Sequence, residues 1–463
     1  MNVGSVGIDV AEALGMEHAL GQIAEARGSL PWSSPLAVGT LACDSVALAS
    51  LALGLARNAR TPAPASPVRV DRARVATSFT SERILQIDGQ HPAVWAPLSG
   101  FRTARDGFVR THANYPHHEN ALRRVLGLGD GADAASVSAA IAERDAVELE
   151  TAAAQAGAVV GAVRTSEQWR EHPQARSIAA APIVEVTRTG AGRPRAWTTD
   201  AAPLAGIRVL DLTRVLAGPI AARDLALAGA EVLRVDAPFL PETGWIHLDT
   251  GQGKRSTLLD LRDRTDGARF ESLLKRADVV LTGYRPGALT RFGLDPEDLA
   301  QRHPGLVTGS VSAWGTQGPW AGRRGFDSIV QAVTGIAVAV TADGETPGTL
   351  PAQALDHSTG HFLAAALTMA LVGQRTVGGS VDVRMSLARV AHALLDSPDG
   401  ATVPPDAGAP AAPCRTRAPS EGRPFSLTYA PPVLAFDGAP DDYADVGGPW
   451  GIDAPDWARS NAS

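Results

Sequence analysis

Branched and apolar residues from Ile207 to Leu212 form a run dense enough for a buried strand. A helix is predicted just past Gly218-Pro219, where a proline's missing N–H costs nothing, and Gly229 closes it. Glu231–Val235 then reads as a second strand, so Pro203–Pro238 is a βαβ opening of a parallel α/β domain. The pattern continues with strands at 278–282, 306–312 and 381–386, separated by helices at 267–276, 296–302, 326–337 and from about 360 to 371. Strands alternating with helices of this length predict an open, mainly parallel sheet flanked by helices.

Before this region the pattern is different. Leu41–Arg60 is an Ala/Leu-rich helix ended by the prolines of Thr61–Pro67. Phe108–Ala113 and Val159–Val163 read as strands, with helices at 117–126 and within 133–156 between them, which predicts a second, smaller α+β domain. His172-Pro173-Gln174 is best explained as a structural turn. Gly, Pro and Arg from Thr189 to Pro203 suggest a linker, and the Pro/Ala/Gly-rich stretch Asp396–Arg417 a second one. The expected divisions are a peripheral helical segment at 1–40, a small-domain-like half at 41–200, the α/β domain at 201–395, and a linker with a C-terminal tail at 396–463.

Composition narrows the function classes. The 463 residues are 44% hydrophobic and carry a formal charge of −7, which argues against a nucleic-acid or anionic-membrane binder. Leu41–Ala56 is apolar but short for a membrane span and interrupted by Asp44, so a buried helix is expected. Only Cys43 and Cys414 occur, far apart, giving no metal motif and suiting a reducing, cytoplasmic setting.

No GxGxxG follows the first strand, and GxxxxGK[ST], HExxH and GxSxG are also missing. What remains is a set of loops after strands, which in an open α/β sheet meet at one edge. Asp356, in Pro351–Gly360, lies just ahead of an apolar helix. It is either a helix cap or a carboxylate nucleophile for an activated acyl group. Arg323-Arg324-Gly325-Phe326-Asp327 pairs two cations with a glycine, Asp327 most simply capping the next helix. Lys254-Arg255 and Tyr284-Arg285 offer further cations beside glycines, suited to a ligand with several phosphates and a flat base. Asn114, Tyr115, His117 and His118 form a polar cluster whose spacing specifies no metal; structural capping fits it best, ahead of a ligand-facing loop and of direct catalysis.

The segments GIRVLDLTRVLAGP, GKRSTLLDL, ADVVLTGYRPGALTRFGL, PGLVTGSVSAWGTQGPW, RRGFDSIVQAVTG and ALDHSTG, in this order between Pro203 and Ala391, resemble the class III coenzyme A transferases. That family includes formyl-CoA and carnitine-CoA transferases and the alpha-methylacyl-CoA racemases. The resemblance implies a large α/β domain with a small domain, a homodimer, and Asp356 as the nucleophile. In this chemistry the carboxylate forms an aspartyl mixed anhydride and then an aspartyl-CoA thioester. It also implies coenzyme A contacts at Leu216, Ala217, Lys254, Arg255, Tyr284, Arg285, Arg291, Arg324 and Asp327. Acyl-CoA and a carboxylic acid acceptor would be the substrates, with no metal, nucleic acid or membrane partner.

Three departures matter. The family's arginine just past the second strand is replaced by Asp236-Ala237-Pro238. Phe326 stands where the racemases carry a histidine, which favours a transferase over a racemase; His357 beside Asp356 is the remaining candidate base. The family's glycine-rich loop is not evident, which keeps a non-catalytic CoA-binding relative as an alternative. Within the N-terminal half, TSERILQIDG, APLSGFRTARDGFVRTHANYPHH and AVRTSEQWREHPQA resemble segments that normally follow the catalytic aspartate. The Leu41–Arg60 helix also resembles Gly360–Arg375, as in a degenerate duplication, with Asp44 as a vestigial nucleophile.

Overall fold

A computed structural model describes residues 3–61, 66–194, 196–197, 202–397 and 411–458. Its strands are β1 Gln86–Ile87, β2 Gly100–Ala104, β3 Gly107–Thr111, β4 Val160–Ala162, β5 Glu185–Gly190, β6 Arg208–Leu212 and β7 Glu231–Asp236. They continue as β8 Lys254–Leu258, β9 Val279–Thr282, β10 Val307–Ser312, β11 Ser380–Ser386, β12 Arg415–Arg417 and β13 Leu427–Tyr429. The large sheet has the order β5-β11-β10-β9-β6-β7-β8. Every pairing in it is parallel except β11 with β5.

Period-two alternation explains how this sheet is covered on both sides. Val209, Val232, Val279, Leu281 and Val307 face one apolar core, while Leu210, Leu212, Leu233, Val235 and Val280 face another. The first core is closed by the helices Ala217–Leu227 and Ala354–Val377, the second by the helix Arg264–Leu274. Against Ala354–Val377 lies the N-terminal helix Val38–Arg60, buried through most of its length, as its apolar sequence anticipates. Asp44 on that helix accepts a hydrogen bond from the Gly4 amide at 2.8 Å.

The small domain is the antiparallel sheet β2-β3-β4 with helices Pro116–Leu126, Ala134–Ala142 and Ala146–Ala156. Val109, Leu122, Ile141, Leu149 and Val160 form its separate core. His172 caps the helix Pro173–Ala179 through its Nδ1, a structural role.

Sequence divisions and packing divisions do not coincide. β5 precedes position 200, yet it forms the antiparallel edge of the large sheet. The tail likewise returns: β13 pairs with β1, and Trp457 packs into the second core. Of the two predicted linkers, 195, 198–201 and 398–410 lie outside the described residues, as do 62–65 in the proline-rich break.

Candidate active site

Asp356 sits in the first turn of Ala354–Val377 and is only 6% exposed. Its helix has no side-chain cap of its own at Gln353. The cap comes instead from Asp327, whose Oδ2 accepts the Asp356 amide at 2.9 Å and whose carboxylate also receives the Leu355 amide. Asp327 was expected to cap the helix it begins; the structure turns its carboxylate across to the neighbouring helix. Gln331 donates to Asp327 Oδ1 and accepts the Leu350 amide at 2.9 Å, fixing the carboxylate in place. The cap being supplied from elsewhere, the Asp356 carboxylate faces the Leu216–Ala217 turn, where the Ala217 N–H donates to it.

That approach depends on Gly360. A Cβ there would meet the Ala217 carbonyl at 2.6 Å and Ile220 Cβ at 2.9 Å, so only glycine lets the two helices close this far. The turn itself is strained, because Val215 has φ +68°, the left-handed region that β-branched residues avoid. Glu242 Oε2 accepts the Val215 amide at 3.1 Å and holds the turn in place.

Electrostatics separate the buried acids of this region. Burial first, and then the like charge of Asp327, raise the Asp356 carboxyl well above the ordinary carboxylate range. Asp327 is itself raised to about 6 by burial, against the opposing effect of the amides that donate to it. Glu242 behaves oppositely. Arg234 and Arg214 overcome the cost of its burial and lower it to about 2. It accepts from Arg234 at 3.0 Å and from the Tyr115 hydroxyl at 2.6 Å, which ties the small domain to the sheet.

A cleft of ≈ 350 Å³ opens from Asp356 between the two domains. Tyr284, Arg285 and Arg324 line it, with Arg214 and Arg323 adding positive charge; Tyr115, His117 and His118 form its small-domain wall. A second chamber of ≈ 40 Å³ lies behind Asp356 and is lined by Leu216, Asp327 and Trp245 among others. Asp356 is on the wall of both. The structure thus brings Asp356, Leu216, Ala217, Tyr284, Arg285, Arg324 and Asp327 together.

Three expected contacts lie elsewhere. Lys254 is buried and bonds Asp211 Oδ2 at 3.0 Å and the Pro219 carbonyl at 2.9 Å, locking the βαβ turn from beneath. Arg255 is held by the tail, donating to the Asp456 carbonyl at 2.7 Å and to Ala454. Arg291 is exposed, with its guanidinium 4.6 Å from the Phe292 ring centroid. None of the three lines the cleft. A lysine or arginine beside a glycine reads the same in sequence whether it faces solvent, a carboxylate or a ligand.

The small-domain residues are the reverse case. His112, absent from the sequence-derived site, stacks on Phe326 with ring centroids 3.6 Å apart, and His118 lies 5.7 Å from the same ring. Burial holds both imidazoles neutral, His112 lowered to about 3 and His118 to about 2. His357 points to the other side of its helix, where it stacks on Phe79 at 4.8 Å. It is therefore no substitute base beside Asp356. The density of His, Tyr and Asn in His112–His118 was the available signal; its contact with Phe326 was not.

Comparison with known proteins agrees with the resemblance. Residues 204–411 match CoA-transferase family III. A probable fatty acyl-CoA transferase of Mycobacterium tuberculosis is 34% identical over 210 residues, 42% of this chain and 53% of that protein. The succinate–glutarate CoA-transferase of Agrobacterium fabrum is 33% identical over 212 residues, with the same shares of 42% and 53%. A crystal structure of a hypothetical protein from M. tuberculosis shares 34% identity over 42% of this chain and 57% of its own, with a TM-score of 0.38. The chain spans about half the length of the curated relatives it matches. Region 204–411, the part that matches CoA-transferase family III, carries Asp356 and the cleft's basic wall.

Proposed function

We propose that this protein is an acyl-CoA:carboxylate CoA transferase in which Asp356 is the nucleophile. The observation that carries this reading is the position of Asp356 at the junction of an arginine-lined cleft and a small, mainly apolar chamber. A CoA thioester extended along the cleft would present its carbonyl at that junction, with its phosphates toward Arg285 and Arg324. The ionised carboxylate attacks the thioester carbon, forming the aspartyl mixed anhydride and expelling the CoA thiolate. The CoA thiolate then attacks the aspartyl carbonyl of that anhydride, giving an aspartyl-CoA thioester and releasing the donor's carboxylate. The acceptor carboxylate attacks this thioester, forming a second aspartyl anhydride and freeing the thiolate. Attack of the thiolate on the acceptor's acyl carbon gives the acceptor's CoA ester and returns the Asp356 carboxylate.

The raised Asp356 carboxyl suits this role, since a more basic carboxylate is a stronger nucleophile once ionised. A racemase reading requires a base for the substrate's α-proton. The imidazoles near Phe326 are held so far below their usual range that they accept protons poorly. Incubation with acyl-CoA followed by hydroxylamine and mass spectrometry tests the proposal. An acyl or CoA adduct on the peptide containing Asp356 supports it. Solvent-deuterium exchange at the α-carbon without any adduct would replace it with the racemase reading.

A further inference from the structure

The two spaces that meet at Asp356 differ in charge. The cleft carries Arg214, Arg285, Arg323 and Arg324. Among the described residues no arginine or lysine lines the small chamber; its titratable groups include His112 and the carboxyls of Glu82, Asp327 and Asp356, and much of the remaining wall is Val94, Trp95, Leu216, Trp245, Ile246 and Phe326. The neighbouring guanidinium of Arg110 is sandwiched between the rings of Trp95 and Phe101, 4.9 Å from each centroid, and is not on the wall. Asn114, one of the chamber's two amides with Gln353, is used to hold its rim. Its Oδ1 accepts from the Ala96 amide and Ser99 hydroxyl, and its Nδ2 donates to the Val94 carbonyl at 3.0 Å.

Building on the transferase reading, we infer that this chamber holds the acyl group and selects short, uncharged hydrocarbon acyl chains against dicarboxylates. A second carboxylate on the acyl chain would enter a site already carrying three carboxyls, lose its water and find no cation there. Glu82 adds to this bias: burial and the nearby Asp249 raise it to about 7, so it offers no positive partner and its Oε2 is without a hydrogen bond. Size sets the other limit. At ≈ 40 Å³ the chamber has room for roughly three or four water-sized groups. Butyryl and isobutyryl fill it; octanoyl does not. Trp95 at the rim and Trp245 within are the residues that set this length.

Calorimetric binding of butyryl-, octanoyl- and succinyl-CoA to the Asp356→Asn protein reads the selectivity without turnover. Butyryl-CoA is expected to bind at least tenfold more tightly than either of the others. Val94→Arg, at the half-buried rim, should move the succinyl-to-butyryl affinity ratio at least tenfold toward succinyl, and Trp95→Ala should raise octanoyl-CoA affinity. Equal affinities for butyryl- and succinyl-CoA, or a ratio unmoved by Val94→Arg, would overturn the assignment. Selective binding with no acyl transfer by the unaltered enzyme would instead count against the transferase reading and leave the chamber's specificity standing.

Discussion

Glu242 and Asp356 are both buried acids beside the same strained turn, yet they are set up for opposite ends. Glu242 meets Arg234, Arg214 and a tyrosine hydroxyl, is held ionised, and fastens the small domain to the sheet. Asp356 meets a second carboxylate and the Ala217 N–H, and burial together with that like charge raises its carboxyl well above the ordinary range. Burial alone therefore does not decide the charge state of an acid; the sign of the nearest charge does.

The comparison breaks most sharply at Asp356 itself. Asp356→Ala should lower acyl transfer by on the order of 10⁴-fold, measured as kcat on any accepted acyl-CoA, as expected for loss of a covalent nucleophile. Asp356→Asn should be equally inactive but more heat-stable at neutral pH. The raised carboxyls bind protons more tightly in the folded protein, so the stability they contribute is full below the ordinary carboxylate range and is lost as pH rises through their folded values, about 6 for Asp327. A melting temperature that falls in Asp356→Asn would contradict that sign.

Glu242→Ala should show the reverse profile. Arg214 loses its carboxylate and Arg234 keeps only Asp236, so stability should drop by about 3 kcal/mol in urea unfolding. A Glu242→Ala protein as stable as the original would remove the distinction between the two acids.

Two smaller effects sharpen it. Asp327→Asn removes the like charge that adds to burial in raising Asp356, so the acid limb of the transfer pH profile should move to lower pH while the capping oxygen is kept. An unmoved limb would mean that another group limits the rate at low pH. Arg324→Ala, an exposed cation on the cleft, should raise KM for the CoA ester by about fivefold with kcat little changed. An equal loss in kcat would place that guanidinium at the reacting atoms instead.

Much of the α/β domain was legible because its signals are local. Strand runs such as Val279–Leu281, Pro219 near a helix start and the motif around Asp356 each report on a few neighbouring residues. Gly360 could be read as part of that motif, but its reason, the close contact with Ala217 and Ile220, is a tertiary fact. The cations show the limit most plainly. Lys254 and Arg285 stand in similar glycine-rich surroundings, yet one is sealed against Asp211 and the other opens on the cleft.

The sequence by itself determined the βαβ opening, the parallel sheet, the nucleophile candidate and the resemblance that links them. Periodicity and short motifs encode such features within one or two turns of chain. Only the tertiary structure decided that β5 and the tail complete the α/β region, that Asp327 rather than Asp356 caps the helix Ala354–Val377, and that the small domain walls the site. These depend on which surfaces meet across more than a hundred residues of sequence. The physical reason is that a side chain's charge state and role are set by its spatial neighbours, and those are chosen by packing.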